Sequence, residues 1–437
     1  MSWALRYTIV SYIRSTIWIV PVIALALEQA TLKIAFLREL DFGFIPGFSA
    51  SEAGLVALMD YIVTMMITFI VFTFGSLLVA IQVASGQLSP RIIATTLLRD
   101  NVIRWTVGLF VYTLLLAIAV KIRGETISHT FASLAGLLAV ACVVAFLFLI
   151  DHAARLLRPV SIIWRLGRQG IDVVEQVYPH RISDEEVAPR ERKKLSPADR
   201  VIVHGGTSAI VIAVNLNALV AAAKKAGGVI ELAPRVGDFV AVDEPLFLLR
   251  GGATAIDDRF LRGQVAFGRE RTIEQDSTFA FRVIVDIAIK ALSKAINDPT
   301  TAVLAIDQLH RLLRTVGKRL LHDEEILDAD GQLRVICRTP NWEDFMQLAV
   351  SEIRLYGAEN FQVARRLRAM IENLIESLPK RRLPALHLEL DLLDRTLERL
   401  NMLPEDLALS RVPDSQGLGG SSLPERPAST DPLKMSA

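Results

Sequence analysis

At 437 residues the chain is long enough for two or three domains, and 52% of it is apolar. The 48 lysines and arginines against 47 aspartates and glutamates leave a net charge of +1, which excludes the basic footprint of a nucleic-acid-binding protein. Two cysteines, Cys142 and Cys337, exclude a disulfide framework and a cysteine metal site.

Four long apolar runs occupy the first 150 residues: Ile17 to Leu37, Leu55 to Val83, Trp105 to Val120 and Phe131 to Ile150. A helix needs roughly 20 apolar residues to cross ~30 Å of hydrocarbon. The second and fourth runs meet that length, the third is slightly short, and the first is interrupted by polar groups. The first is also too long for a cleavable signal peptide and lacks a small-residue cleavage site. Arg6 and Arg14 precede the first run, Arg91, Arg99 and Arg104 separate the second from the third, and Arg155, Arg158, Arg165 and Arg168 follow the fourth. Basic residues favour the cytoplasmic side, so the expected topology is four spans with both termini inside. Lys121 and Arg123 oppose this, although a helix end lets them snorkel. Residues 1–151 are therefore expected to form a four-helix transmembrane domain in a bacterial inner membrane, with the lipid bilayer as an obligatory partner.

Glu28 lies half-way along the first run. An ionisable group at mid-bilayer costs several kcal/mol unless it faces protein or water, so it marks an ion path or an interhelix contact. A shallower helix, or a protonated and hydrogen-bonded carboxyl, also accommodates it. Asp60 reads as interfacial and as a further candidate for the ion path. Gln82, with Ser85, Gln87 and Ser89, makes the end of the second run polar, as a pore lining or a wet terminus would be. Ser89-Pro90 breaks the helix there. Asp151 and His152 end the fourth run, where solvation accounts for them.

Residues 152–199 read as a juxtamembrane helix and a charged linker. Leu156, Val160, Ile163 and Trp164 recur at helical spacing, with Arg155, Arg158, Arg165 and Arg168 between them. This helix either lies on anionic lipid through those arginines or continues from the fourth span into the following domain. Residues 200–250 form a small β-rich unit of short strands: RVIVH, AIVIAV, GVIEL, DFVAV and PLFLLR. A helix over Leu216 to Ala226, capped by Asn215, interrupts them, and Gly237-Asp238 marks a turn. The stretch around that turn is similar to lipoyl-like modules, but no lysine stands at a hairpin tip, so a scaffold role is expected. Residues 251–403 read as helical. Asp276-Ser277 caps a helix from Thr278 to about Ala295, with Phe281, Ile284, Val285, Ala288, Ile289 and Leu292 on its apolar face. Asp298 caps the next helix, with Pro299 in its first position. RVICR at 334–338 is a candidate strand, and helices are expected over 343–356, 359–378 and 384–402. Residues 404–437, rich in Pro, Ser and Gly, are expected to be disordered.

R-T-x-x-Q-D at Arg271, Thr272, Gln275 and Asp276 is followed by a D-x-A-x-x-A-L-S-x-x-x-N-D-P-x-T-A string from Asp286 to Ala302. With Ser15, Trp18 and Pro21, the S-P-R at 89–91, and V-G-D-F-V at 236–240, these strings resemble a bacterial family of predicted four-span membrane proteins known only as a domain of unknown function. The resemblance reaches to about residue 400. It implies four spans and a cytoplasmic domain, and supplies no activity. The chain departs from the family pattern at Lys294-Ala295 and at Ser208-Ala209-Ile210.

The expected fold class is thus a membrane α-helical domain followed by a cytoplasmic α+β region. No P-loop, dinucleotide fingerprint, HExxH, GxSxG or metal-spaced histidine pair occurs, so neither an enzyme nor a cofactor or metal site is expected. Arg271, Gln275, Asp276, Asn297 and Asp298, joined by Asp286, form a structural or ligand cluster if the two capped helices pack as a hairpin, with His310 nearby. The expected function is a channel-like or transport role in a homo-oligomer, gated by the cytoplasmic domain. The alternative is a membrane-anchored scaffold or sensor.

Overall fold

Apolar helices dominate residues 9–162, one of two units into which the chain divides; the other comprises residues 1–8 and 163–437. The computed structural model describes residues 2–15, 19–33, 52–87, 100–122, 129–156, 158–182, 196–321, 325–400 and 403–420. Helix α1 is Trp3–Ser15, α2 Ile19–Lys33, α3 Glu52–Gln87, α4 Asn101–Ile122 and α5 His129–Leu156. Among the described residues, three stretches are long and apolar enough to cross a membrane: Ala53–Val79, Asn101–Ile122 and Thr130–Leu156. The first apolar run is described as α2, 15 residues or about 22 Å, which alone falls short of the hydrocarbon thickness. The helix break expected at Ser89-Pro90 lies outside the described residues.

Helix α4 is the hub of the first unit, since α2, α3 and α5 all pack on it. Ile103, Val107, Phe110, Leu116, Ala117 and Val120 are buried there. A helix with neighbours on several sides needs apolar groups around much of its circumference, which the shortest run supplies. Gly108 lets α2 approach closely: a Cβ at that position would stand 2.4 Å from Val20 Cγ1. Phe69 of α3 stacks on Phe146 of α5 at 4.1 Å, and Phe110 lies tilted 5.6 Å from Phe69. Val71, Leu78 and Val79 on α3, and Val140, Val144 and Leu147 on α5, point outward, as lipid-facing side chains do.

The end of α5 corrects one expectation. His152 is not simply solvated; its Nε2 lies 3.1 Å from Asp100 Oδ1. The same oxygen accepts from Val102 N and Ile103 N and so caps α4. The sequence hides this pairing because 52 residues separate the partners.

The second unit starts its longer segment within α6 (Pro159–Val177). Strands β1 (Arg200–Val203), β2 (Ala209–Val214), β3 (Gly228–Leu232), β4 (Phe239–Val240) and β5 (Pro245–Gly251) match the five expected runs. Helix α7 (Leu216–Ala226) separates β2 from β3, capped by Asn215 Oδ1 on Ala218 N as expected. The short α8 (Asp258–Arg262) leads to β6 (Val265–Gly268). Then come α9 (Phe279–Ala291), α10 (Pro299–Gly317), β7 (Glu325–Leu327), β8 (Leu333–Cys337), α11 (Trp342–Gly357), α12 (Phe361–Ser377), α13 (Leu383–Glu398) and α14 (Pro404–Ser410).

The β structure does not close at residue 250. One sheet has the order β1-β5-β3-β8-β7 and the other β4-β2-β6, so strands from beyond 250 enter both. β8 runs parallel to β3, pairing Ile230 with Val335 and Leu232 with Cys337. Such long-range pairing leaves no mark on local pattern, whereas the buried Ile230, Leu232 and Val335 show why it forms. Helices α9 and α10 pack as a hairpin, and α11 packs against both. Phe281 and Phe345 meet at 5.2 Å across α9 and α11.

Two further expectations change. Much of the apolar face of α6 is covered by protein within this unit, while Val160 and Trp164 are exposed: Gly167 lies against Gln308, Gly170 against Ala280 and Leu312, and Ile163, Leu166, Val173 and Val174 are buried. Of the arginines read as lipid contacts, Arg168 is exposed and Arg165 half-buried. Arg155 pairs with Asp151, and Arg158 is exposed. The tail is not disordered from its start either. Residues 403–420 pack as a strap on α12, where Arg365 donates to Val412 O (2.9 Å) and Gly419 O (2.7 Å). Asp414 accepts from the backbone N–H groups of Gln416, Gly417 and Gly419. The composition is that of a disordered segment, yet a buried arginine and a carboxylate supply partners for its backbone. Residues 421–437 lie outside the described residues.

Candidate functional site

Polar side chains with partners on several elements concentrate in the loop between β6 and α9. Asp276 is buried, and its Oδ1 accepts from Thr278 N (3.0 Å), Phe279 N (3.1 Å) and Thr278 Oγ1 (2.6 Å), capping α9. Its Oδ2 has no hydrogen-bond partner and lies 3.7 Å from Arg271 Nη1. Burial holds this carboxyl above the usual carboxylate range, against the opposing pull of Thr278 and Arg271. Gly237, with φ +96, brings its backbone over the carboxylate. Gln275 Oε1 accepts from Val214 N of β2 at 2.9 Å.

The same loop reaches both ends of the chain flanking residues 9–162. Ser277 Oγ lies 3.5 Å from the hydroxyl of Tyr178, just past α6. Burial, with Asp276 adding to it, pushes the Tyr178 phenol up to about 12, so it stays protonated. Tyr7 donates its hydroxyl to Glu274. Trp3, Ala4 and Tyr7 pack on Ile212, Ala213 and Ala266 of the three-stranded sheet, and Ala4 N donates to Gly263 O at 3.1 Å. Sequence reasoning missed Tyr7, Tyr178 and Glu274, and read Gly237 as a turn without its place over Asp276. Glu274 carried a signal as an unread position inside R-T-x-x-Q-D.

The rest of the expected cluster stands elsewhere. Asp298 caps α10 through Thr301 N at 3.1 Å, and Asn297 takes a positive φ of 49 just before it. The 13 residues of α9, about 20 Å of helix, separate these caps from Asp276. Asp286 is paired with Arg282 Nε at 2.8 Å, and Arg282 Nη2 also reaches Glu352 at 3.0 Å. That contact holds Glu352 below its ordinary value. His310 Nε2 meets Asn373 at 2.9 Å, and burial holds it below the ordinary histidine value.

In the first unit, Glu28 is 2% exposed. It shares a stripe with Val20, Ala24 and Leu32 on α2, whose packing partner is α4. Among the described residues its hydrogen-bond partner is Gln29, which donates from Nε2 at 2.8 Å. Nearby, Thr31 and Tyr112 join α2 to α4 at 2.9 Å. Asp60 is half-exposed and ion-paired with Lys121 of α4, which neutralises the basic residue that ran against the loop-charge bias. Gln82 is exposed and stands about 33 Å from Asp60 along α3. The three residues therefore do not converge. Among the described residues, no group of three or more His, Cys, Asp or Glu is placed to hold a metal ion.

A family model described as Predicted membrane protein (DUF2254) matches residues 14–373. The chain belongs to this family. Uncharacterized proteins of Mycobacterium bovis and of Mycobacterium tuberculosis strain H37Rv are each 26% identical over 415 residues, covering 90% of this chain and 78% of theirs. No solved structure matches. The DUF2254 match contains Glu28 and the whole Arg271–Asp276 loop, and leaves Tyr7 and the strap 403–420 outside.

Proposed function

We propose that this DUF2254 protein is a four-span inner-membrane protein with both termini cytoplasmic, which assembles as a homo-oligomer and conducts cations in a channel-like manner under control of its C-terminal unit. The observation that carries the reading is Glu28. A carboxyl 2% exposed on an apolar helix, with a glutamine as its described partner, is expensive to keep, and such residues mark ion or proton routes. Four helices enclose little space, so conduction calls for several copies.

Topology has independent support. Residues 2–8 pack within the same unit as residues 163–437, which supports one shared side of the membrane for both. Among the described residues between them, three helices are long and apolar enough to cross. An odd number of crossings separates the two sides, and adding the α2 run restores an even number. The arginine bias of the loops supports the cytoplasm as that shared side. Control by the C-terminal unit is supported by the loop 271–277, which holds Tyr7 and Tyr178, the side chains near the two chain segments leading to residues 9–162.

The test is ion flux from liposomes reconstituted with the full chain and with Glu28→Gln, alongside sizing in detergent. The expected result is an oligomer whose cation flux falls at least tenfold in the variant. No flux from any oligomeric form, or a strict monomer, overturns the channel reading. Unchanged flux in the variant removes Glu28 from the path.

A further inference from the structure

On the second unit, three chain segments meet around a cleft of about 350 Å³ lined by Arg181, Lys318, Glu376 and Ser377, among others. Backbone and guanidinium bonds fix their approach. Ile182 N donates to Lys318 O at 3.0 Å, Leu320 N donates to His180 O at 2.9 Å, and Arg382 Nη2 donates to Arg319 O at 3.0 Å. Lys380 and Arg381 follow Pro379, a lining residue, directly in the chain and are exposed.

The charges here are unbalanced. Arg319 is committed to Glu175 and Pro179 O, and Arg382 to backbone carbonyls and the Trp342 ring. Arg181, Lys318, Lys380 and Arg381 are exposed, and none makes an ion pair among the described residues. Part of this charge answers the carboxyl ends of α10 and α12, each worth roughly half a negative charge. Glu376 answers one more. About two positive charges remain uncompensated. Burial, and after it the neighbouring Arg381, push the Arg382 guanidinium down to about 10. Ser377 Oγ on the cleft wall has no hydrogen-bond partner among the described residues.

We propose that this cleft binds a phosphate-bearing anion, gripped by Arg181 and Lys318, with Lys380 and Arg381 at its rim. A phosphate monoester carries about −1.5 to −2 at neutral pH, which matches the surplus. Its oxygens suit a guanidinium fork beside a lysine point charge. The phosphate comes either free or as a lipid headgroup.

The full chain in neutral detergent is dialysed to equilibrium against radiolabelled inorganic phosphate, and separately against dihexanoyl phosphatidic acid, with dihexanoyl phosphatidylcholine as the zwitterionic control. Saturable binding of phosphate alone identifies a soluble ligand; binding confined to phosphatidic acid identifies a headgroup. In either case R181Q/K318Q weakens binding at least tenfold, K380Q/R381Q weakens it several-fold, and K225Q leaves it unchanged. Should R181Q/K318Q fail to fold, K380Q/R381Q decides. The proposal is overturned by no saturable binding of either probe, by equal affinity in the decisive variant, or by equal affinity for phosphatidylcholine. Asp184, Glu185 and Glu186 follow Ile182 in sequence. Binding that emerges only when these three are neutralised (D184N/E185Q/E186Q) also overturns it, because the basic wall then has its partner within the chain.

Discussion

Replacing Gly237 by alanine strikes the loop at Asp276 through a single methyl group, and Gly227 supplies its control. Both glycines have positive φ, +96 and +68. An alanine at 227 would meet nothing within 4 Å, so it carries only the left-handed backbone penalty of about 1 kcal/mol. An alanine at 237 carries the same penalty and also places its Cβ 2.5 Å from Asp276 Oδ2 and 3.4 Å from Arg271 Cζ. The carboxylate must move, which strains the three bonds to Oδ1 that cap α9. Losing such a cap adds roughly 1–2 kcal/mol. The expected costs are therefore about 1 kcal/mol for Gly227→Ala and about 2–3 kcal/mol for Gly237→Ala. For a unit of this size they correspond to melting shifts of roughly 2–4 °C and 5–10 °C. Thermal unfolding of the detergent-solubilised chain can be followed by labelling of Cys337, buried in β8, in a Cys142→Ala background. Adding Asp276→Ala to Gly237→Ala should cost less than the two changes separately, since the clash disappears. Equal melting shifts for the two glycine variants would refute the reasoning.

Two further outcomes follow from the packing. His310 is held below its unfolded value of 6.5 by burial, with Arg366 and Arg314 opposing its charge and Asn373 and Asp307 favouring it. Its neutral form is therefore the one that fits. This contribution to stability is complete above pH 6.5 and is lost as pH falls through the depressed folded value. Melting temperatures between pH 7.5 and 5.5 should fall less in His310→Gln than in the parent, and parallel curves would remove His310 from the pH response. For the α2–α4 contact, a Cβ at position 108 would lie 3.8 Å from the Val20 Cβ, the usual disulfide spacing. Val20→Cys with Gly108→Cys, in a Cys142→Ala background, should cross-link on mild oxidation, read as non-reducing mobility after cleavage between the two positions. A pair that stays reduced would show that α2 packs elsewhere.

Local signals read well and distant ones did not. Asn215, Asp276 and Asp298 were legible as helix caps because capping needs only a short polar side chain two or three residues before the N–H it serves. The five strands of 200–250 were legible from alternation and turn residues. Pairings made far along the chain left no trace: β8 beside β3, His152 on Asp100, and the first helix on the three-stranded sheet. The expected cluster at 271–298 joined two correct helix starts into one wrong neighbourhood. Each cap sits at the amino end of its own helix, and in a hairpin those ends lie opposite. The strap at 403–420 shows composition failing in the other direction, since Asp414 and Arg365 order a glycine-rich segment that has almost no apolar periodicity.

The position of the Arg271–Asp276 loop gives the family string a physical reason that needs no catalysis. Arg271 and Gly237 bracket the Asp276 carboxylate, Gln275 serves the backbone of β2, and Glu274 takes the Tyr7 hydroxyl. One loop thus fixes the sheet, the amino end of α9, the start of the chain and, through Ser277, the residue that follows α6. A displacement of α1 that breaks the Tyr7–Glu274 bond acts on the loop that caps α9, while a displacement of α6 acts on the same loop through Tyr178. Asp276 Oδ2 has no hydrogen bond to give up and Arg271 stands 3.7 Å away, so that contact can shorten without breaking another bond of the carboxylate.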